Sequence, residues 1–393
     1  MIIILVVFWY ALVPVAGAFI SRRRWRIFRL RFDDLRLRPL LDYAACMTAG
    51  DGRAAVPGEP GGVFRFTGGF ESVTDDHILW IRSGDLTIPV DLRGAQTYVL
   101  PSPEPENSSA FDPGQEAPEE IRWEQFSTLA EGVKVFVGGP LVFKEGRPIF
   151  VSAARAPLLV IFYDGPDRQL TLRVIRAGRH KNEYFNPLTF YGFIFGAFSL
   201  IVMAVSFFPR PGFRLTMITS FVALFTPLLP HIPPGLLFTM IYRRLWWRAR
   251  IFRAYRDLAR LPLRYFPPGE GDAPPPSEGS LPDGTPYLVR HCDTLPPEFY
   301  REGFPFILPE EVRQKKEGWY LFGCPSAAGA ALLPGEPKDP VAVWGAVPGR
   351  PEKLAGGFTL RAYIMEIIAW IILLSGIGVN ILFIGVILSL LLF

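Results

Sequence analysis

The chain has 393 residues, half of them hydrophobic and only 20% charged, and its mean hydropathy is positive at +0.24. That balance excludes an ordinary soluble domain, where charged residues make up about a quarter of the chain. The formal net charge is only +4, but arginine gathers beside apolar runs while acids gather in Pro-rich stretches.

Met1–Ile20 is an uninterrupted apolar run followed by SRRRWRIFRLR. A cleaved signal peptide carries its positive charge before the apolar core. Here the charge follows, so the run predicts a retained anchor with its N-terminus outside and the arginines in the cytoplasm. Residues 21–43 interleave Arg22, Arg23, Arg24 and Arg26, and later arginines, with Trp25, Ile27, Phe28 and Leu30. Two readings stay open: an amphipathic segment on anionic lipid headgroups, or a signal of topology alone. No recognised motif supports nucleic-acid binding, and none is expected.

Residues 44–186 predict a β-rich domain. Val63–Phe70, Ile78–Arg82, Leu86–Leu92 and Thr97–Leu100 are short, β-branched and aromatic, and bounded by Gly, Asp and Ser. Pro101–Glu120 has the composition of a disordered acidic insert. Strand signals resume at Lys134–Val137, Leu141–Phe143, Pro148–Val151, Leu158–Tyr163 and Leu170–Ile175, with Lys144–Gly146 closing a hairpin. This spacing predicts an OB-like small barrel or a sandwich.

The pattern Phe66–Gly69 (FTGG), the strand Thr87–Leu92 (TIPVDL) and the segment Leu129–Val151, with Gly132, Gly138 and Gly146, resemble the GIDE/BAM-type domain. That domain occurs in membrane-anchored E3 ubiquitin ligases and their bacterial relatives. The resemblance covers about residues 60–186. It implies a β-module held between membrane segments. It does not imply ligase chemistry, because such ligases end in a zinc-binding RING with many Cys and His ligands. Three cysteines and four histidines scattered along this chain cannot build one.

Residues 187–256 predict a membrane hairpin and a basic collar. Leu188–Phe208 is uncharged and close to the roughly 20 residues a bilayer core needs. It holds Gly192 and Gly196 at GxxxG spacing, which predicts close packing against another helix of the same chain. After the turn Pro209–Arg214, the uncharged run Leu215–Ile241 contains Pro227, Pro230, His231, Pro233 and Pro234. These prolines must break or kink a helix. A discontinuous membrane helix is a feature of transport sites, and His231 is the ionisable group within it. The alternative places the break near an interface, with a new helix starting after Pro234. Arg243, Arg244, Arg248 and Arg250 then form a second basic collar beside Trp246 and Trp247.

Residues 257–282 predict a Pro-rich linker, and residues 283–360 a small Pro/Gly-rich soluble region. Its candidate strands are Tyr287–Arg290, Trp319–Phe322 and Val341–Trp344, with a short helix over Pro309–Lys316. His291, Cys292 and Cys324 make a poor zinc pattern, so ordinary buried cysteines are expected; Glu310, Glu311 and Asp339 show no catalytic partner. Residues 361–393 predict the last crossing. Its one charge in the apolar part is Glu366, its C-terminus is expected outside, and Asn380 is positioned to hydrogen-bond a neighbouring helix.

Together these readings predict an α+β membrane protein of the bacterial inner membrane. It has four transmembrane helices, both termini outside, and a cytoplasmic β-domain with a second soluble region. No nucleophile elbow, metalloprotease, P-loop or dinucleotide fingerprint occurs, so no catalytic, cofactor or metal residues are assigned. The expected function is a non-enzymatic scaffold or adaptor, or a subunit of a membrane assembly. Its expected partners are the lipid bilayer, anionic headgroups and other membrane proteins. The alternative is a transport or channel component using residues 227–235.

Overall fold

Apolar length and β-branched composition sort the chain into two compact units. One comprises Met1–Ile27, His180–Arg253 and Phe358–Phe393; the other comprises Phe28–Arg179 and Ala254–Gly357. The structure is a computed structural model. It describes residues 1–41, 62–101, 118–144, 147–154, 156–179, 186–267, 278–295, 305–309, 312, 318–325 and 334–392. Most of the acidic insert, the turn at Gly146, residues 268–277 of the expected linker, most of the helix expected over 309–316, and Cys46 lie outside these residues. The ends of the stretch 257–282 are not linker: a helix runs to Arg260, a 3-10 turn covers Pro262–Tyr265 and a strand covers Glu278–Ser280, because Leu258, Leu261 and Tyr265 are buried apolar and aromatic side chains.

Helix α1 (Ile2–Leu35) does not stop at Ile20 but runs on through the arginines, with a π-helical segment at Phe8–Leu12. Arginine is a good helix former, and no proline or glycine stands between Gly17 and Pro39. The strands that follow are β1 (Val63–Thr74), β2 (Ile78–Ser83), β3 (Leu86–Asp91), β4 (Gln96–Val99), β5 (Glu119–Glu120), β6 (Lys134–Lys144), β7 (Arg147–Phe150) and β8 (Leu159–Tyr163). β1 pairs with β6 along Val63–Gly69 and with β2 from Gly69 onward, with a bulge between Phe70 and Ser72. β2 pairs with β3, β3 runs parallel to β7, and β7 pairs with β6. The ring β1-β2-β3-β7-β6 therefore closes on itself as a small barrel, with β8, β4 and β5 extending from β6. Gly68 permits the turn of β1 between its two partners, because a Cβ there would lie 2.4 Å from the Arg82 carbonyl oxygen. Leu79, Ile81, Ile88, Val90, Val137 and Phe150 are fully buried inside, each stabilising the fold by about 1.5–3 kcal/mol.

β6 is buried on both faces. One face lines the barrel and the other receives α1: Phe32 meets Phe136 with ring centroids 5.0 Å apart, while Phe28 meets Tyr98 of β4 at 4.6 Å. Gly138 makes room for Leu35, whose Cδ1 would lie 2.8 Å from a Cβ. The two strands expected at 134–137 and 141–143 are thus one, because the glycines between them admit neighbouring side chains rather than end the strand.

The strand expected at Leu170–Ile175 is instead helix α2 (Asp167–Arg176). Leu170, Thr171, Val174 and Ile175 are buried at helical spacing, and that periodicity outweighs their aliphatic composition.

Helix α3 (Pro187–Phe207) begins at Asn186, whose side chain accepts from the Leu188 and Thr189 amides at 3.0 and 3.3 Å. The Asn186 amide nitrogen also donates to the Pro14 carbonyl at 2.9 Å. Gly192 and Gly196 face Trp9 and Tyr10 of α1, so the GxxxG pattern serves packing within the chain. The run 215–241 is not one helix: α4 (Arg214–Ala223) ends ten residues in, a 3-10 turn covers Thr226–His231, and α5 (Gly235–Arg260) starts afresh. Helix α6 (Pro351–Leu392) starts before the crossing expected from residue 361. Three helices, over Ile2–Leu35, Pro187–Phe207 and Pro351–Val386, are therefore long and apolar enough to cross a membrane. Their outward faces carry exposed apolar side chains such as Phe198 (65%) and Leu382 (71%), which call for lipid rather than water.

The second sheet lies in the unit that holds the barrel. It consists of β9 (Glu278–Ser280), β10 (Pro286–Cys292), β11 (Trp319–Pro325), β12 (Pro334–Gly335) and β13 (Gly345–Pro348). The strand expected at 341–344 is absent, because side chains occupy its backbone groups. Asp339 accepts from the Val341 amide at 3.1 Å and Thr171 donates to the Val341 carbonyl at 3.0 Å. The Val343 amide donates to the Tyr265 hydroxyl at 3.3 Å, and Tyr287 donates to the Val343 carbonyl. Pairing with β11 therefore begins only at Gly345.

Candidate functional site

The break between α4 and α5 is the most unusual feature of the apolar unit. Pro227 and Pro230 are half-buried, whereas His231, Pro233 and Pro234 are exposed. The break faces Asn380 of α6, which is 1% exposed. The Asn380 amide nitrogen donates to the Leu229 carbonyl and, at 2.9 Å, to the Ile232 carbonyl; its oxygen accepts from the Gly235 amide at 3.0 Å. Thr239 donates to the Pro230 carbonyl at 2.6 Å. The Leu236 and Leu237 amides bond to the Ile232 and Pro234 carbonyls at 3.1 and 3.2 Å. The first donors of α5 are therefore satisfied within the unit. Gly235 is required here, since a Cβ would lie 2.1 Å from the Asn380 amide nitrogen. Chemically the arrangement is a clasp: one amide satisfies backbone groups that a continuous helix would have paired.

The two basic collars divide by structure. Arg253 forms a two-point ion pair with Glu366 at 2.7 and 2.5 Å, and the Arg250 guanidinium lies 4.0 Å from the same carboxylate and 4.5 Å from the Trp246 ring centroid. Trp246 packs edge-on against Trp370 of α6 at 6.0 Å, beside Tyr242. Arg22 of α1 sits 6.0 Å over the same Trp246 ring, and Arg24 5.8 Å over Trp25. Arg23, Arg24, Arg26, Arg243, Arg244 and Arg248 are exposed. Arg22 and Trp246 thus bring the first and second collars together at one level.

In the barrel unit, buried charge joins segments far apart in sequence. Arg65 of β1 pairs with Asp339 through both guanidinium nitrogens, one at 2.7 Å, and donates through Nε to the Arg38 carbonyl at 2.7 Å. Arg36 is fully buried between Asp33 at 2.7 Å, the Tyr265 hydroxyl at 2.9 Å and the Leu261 carbonyl. Burial disfavours the Asp257 carboxylate, but Arg179 and Arg256 outweigh it and hold that carboxyl below its usual range. Sequence reasoning missed these pairs: Arg65 and Asp339 stand 274 positions apart, and no local pattern links them.

Burial pushes the Cys324 thiol up to about 11, and His291 meets Tyr320 edge-on at 4.9 Å. Among the described residues no cluster of three or more His, Cys, Asp or Glu is placed to hold a metal. A cavity of about 210 Å³ beside α2, lined by Arg168, Leu172, Phe306, Ile307 and Trp344, is below the roughly 300 Å³ of small-molecule sites, whereas an open one of about 540 Å³ beside β1, lined by Leu41, Phe66, Thr67, Ser83 and Leu86, reaches that size. No protein-family model matches the chain, and neither the curated proteins nor the solved structures contain a match.

Proposed function

We propose that the chain is a membrane-anchored, non-enzymatic scaffold or adaptor, or a subunit of a larger membrane assembly. It presents a GIDE-like barrel at the cytoplasmic face of the bacterial inner membrane. The observation that carries this reading is the satisfied break. In transporters the N-terminal end of a broken helix points its free amides at substrate. Here the amides of Gly235, Leu236 and Leu237 are bonded within the unit, and the break serves helix packing.

The topology that fits has four crossings with both termini outside, the fourth being α4, the break and the apolar start of α5, which gives way to arginines at Arg243. From Trp370 to Asn380 the α6 axis advances about 15 Å, half of a bilayer core of about 30 Å. Arginine-rich segments after α1 and within α5 support a cytoplasmic location for the soluble parts. Reporter fusions at positions 110 and 275 test this, and labelling of either from outside overturns it. Affinity capture from mild detergent tests the scaffold role: a stoichiometric membrane partner supports it, and recovery of the chain alone sinks it.

The mid-depth position of the break favours a second reading, a transport or channel component. Its test is His231→Ala, and an unchanged flux removes its support.

A further inference from the structure

Among the described residues of the apolar unit there are twelve arginines and a single acid, Glu366. That acid is already engaged by Arg253 and Arg250, and Arg22 and Arg24 lie over indole rings. Arg23 and Arg26 on α1, and Arg243, Arg244 and Arg248 on α5, are exposed and have no partner among the described residues. They are not scattered along the unit. The Arg22–Trp246 contact sets the two helices side by side at this level, and Trp246, Trp370 and Tyr242 cluster there. Aromatic side chains of that kind mark the plane where hydrocarbon gives way to headgroups.

We propose that these five arginines form a band that binds anionic phospholipid headgroups. Guanidinium is planar, permanently charged and suited to two-point bonding of phosphate oxygens. Five such groups at one level, with the nearby carboxylate already taken, repel one another unless anions gather between them. Lipid is the occupant that the geometry favours, because the same two helices expose Ile20, Ile27, Leu237 and Ile241 next to the band. The inference rests on the membrane part of the reading above and is independent of the scaffold part. A chain without protein partners could still select its lipids, and the two failures are read in different experiments.

The test uses the full-length protein in phosphatidylcholine bilayers. Spin-labelled phosphatidylglycerol and spin-labelled phosphatidylcholine are compared for association with the protein surface. One arginine near the surface contributes about 1 kcal/mol, or about five-fold in affinity. The expected preference for phosphatidylglycerol is therefore about five-fold or more at low salt. It should fall toward unity in about 1 M salt, where the screening length is about 3 Å. Changing the five arginines to glutamine abolishes the preference, changing them to lysine keeps most of it, and Arg210→Gln with Arg214→Gln leaves it intact. If the five-fold variant does not fold, Arg244→Gln with Arg248→Gln halves the preference or better. Equal association of both lipids with the native protein overturns the proposal. So does a preference that survives the glutamine changes. Tight binding of a duplex DNA probe that those changes abolish, without any lipid preference, also overturns it.

Discussion

Replacing Asp339 with alanine removes one half of an ion pair that is almost wholly out of water. The Arg65 and Asp339 side chains are 1% and 5% exposed. In the variant the Arg65 guanidinium keeps one bond, from Nε to the Arg38 carbonyl, and its other nitrogens face the protein interior. Stranding one member of a buried pair costs about 3–5 kcal/mol. The Val341 amide, which donates to Asp339 at 3.1 Å, adds about 1–3 kcal/mol if it finds no other acceptor. A unit of this size loses about 2–4 °C of melting temperature per kcal/mol, so a fall on the order of 10 °C follows. Infrared amide I melting separates the sheet signal from the membrane helices and reads that fall directly. The double variant Arg65→Met with Asp339→Leu should melt above Asp339→Ala, because the pair is then replaced by apolar groups rather than broken. A single variant within about 2 °C of wild type, or a double variant worse than the sum of the singles, would refute the reasoning.

Asn380→Leu strips three hydrogen bonds from the break and should cost about 2–4 kcal/mol in detergent-denaturation titrations, at roughly 1 kcal/mol per intramembrane bond. Gly138→Val drives a side chain into Leu35 and should cost about 1–3 kcal/mol, with Leu35→Ala relieving part of the loss. The Asp257 carboxyl titrates lower folded than unfolded, so its contribution is present at neutral pH and is lost as pH falls below about 4. Asp257→Asn should therefore be less stable than wild type at pH 7, the gap closing in acid. In a chain whose other cysteines are serine, Cys324 should resist alkylation at pH 8.5 until the protein is denatured, since burial keeps its thiol protonated.

What was legible in the sequence depended on how local its cause was. The barrel strands were legible because alternation and bounding glycines act over a few residues, and Ile78–Ser83 and Leu86–Asp91 lie almost where the pattern put them. The break was legible because proline acts on its own turn. Asn380 was legible as one polar residue in an apolar run, but its three partners were not, because they stand about 145 to 151 positions away. Leu170–Ile175 misled because six aliphatic-rich residues satisfy strand and helix patterns alike, and burial around α2 decides between them. Val341–Trp344 misled for a different reason: its composition suits a strand, but Asp339, Thr171, Tyr265 and Tyr287 occupy its backbone groups. The arginine collars looked uniform in sequence. Only the fold separates Arg250 and Arg253, which hold Glu366, from Arg244 and Arg248, which face outward.

The polar contacts within the apolar unit bear on register. Apolar faces pack against one another in lipid with little preference for one axial position, because lipid tails compete for the same surface. Polar contacts do have such a preference. A slip of one residue along α6 advances it by about 1.5 Å and turns it by about 100°. That slip carries Asn380 away from the Leu229, Ile232 and Gly235 backbone groups, and in the same movement carries Glu366 away from Arg253. Both losses fall on one helix, at levels separated by about 21 Å along its axis. Two polar anchors so placed fix rotation and translation together, which neither does alone. Small residues then fit that single register: Gly376 lies where a Cβ would come within 2.5 Å of Phe238, and Gly235 where one would meet Asn380.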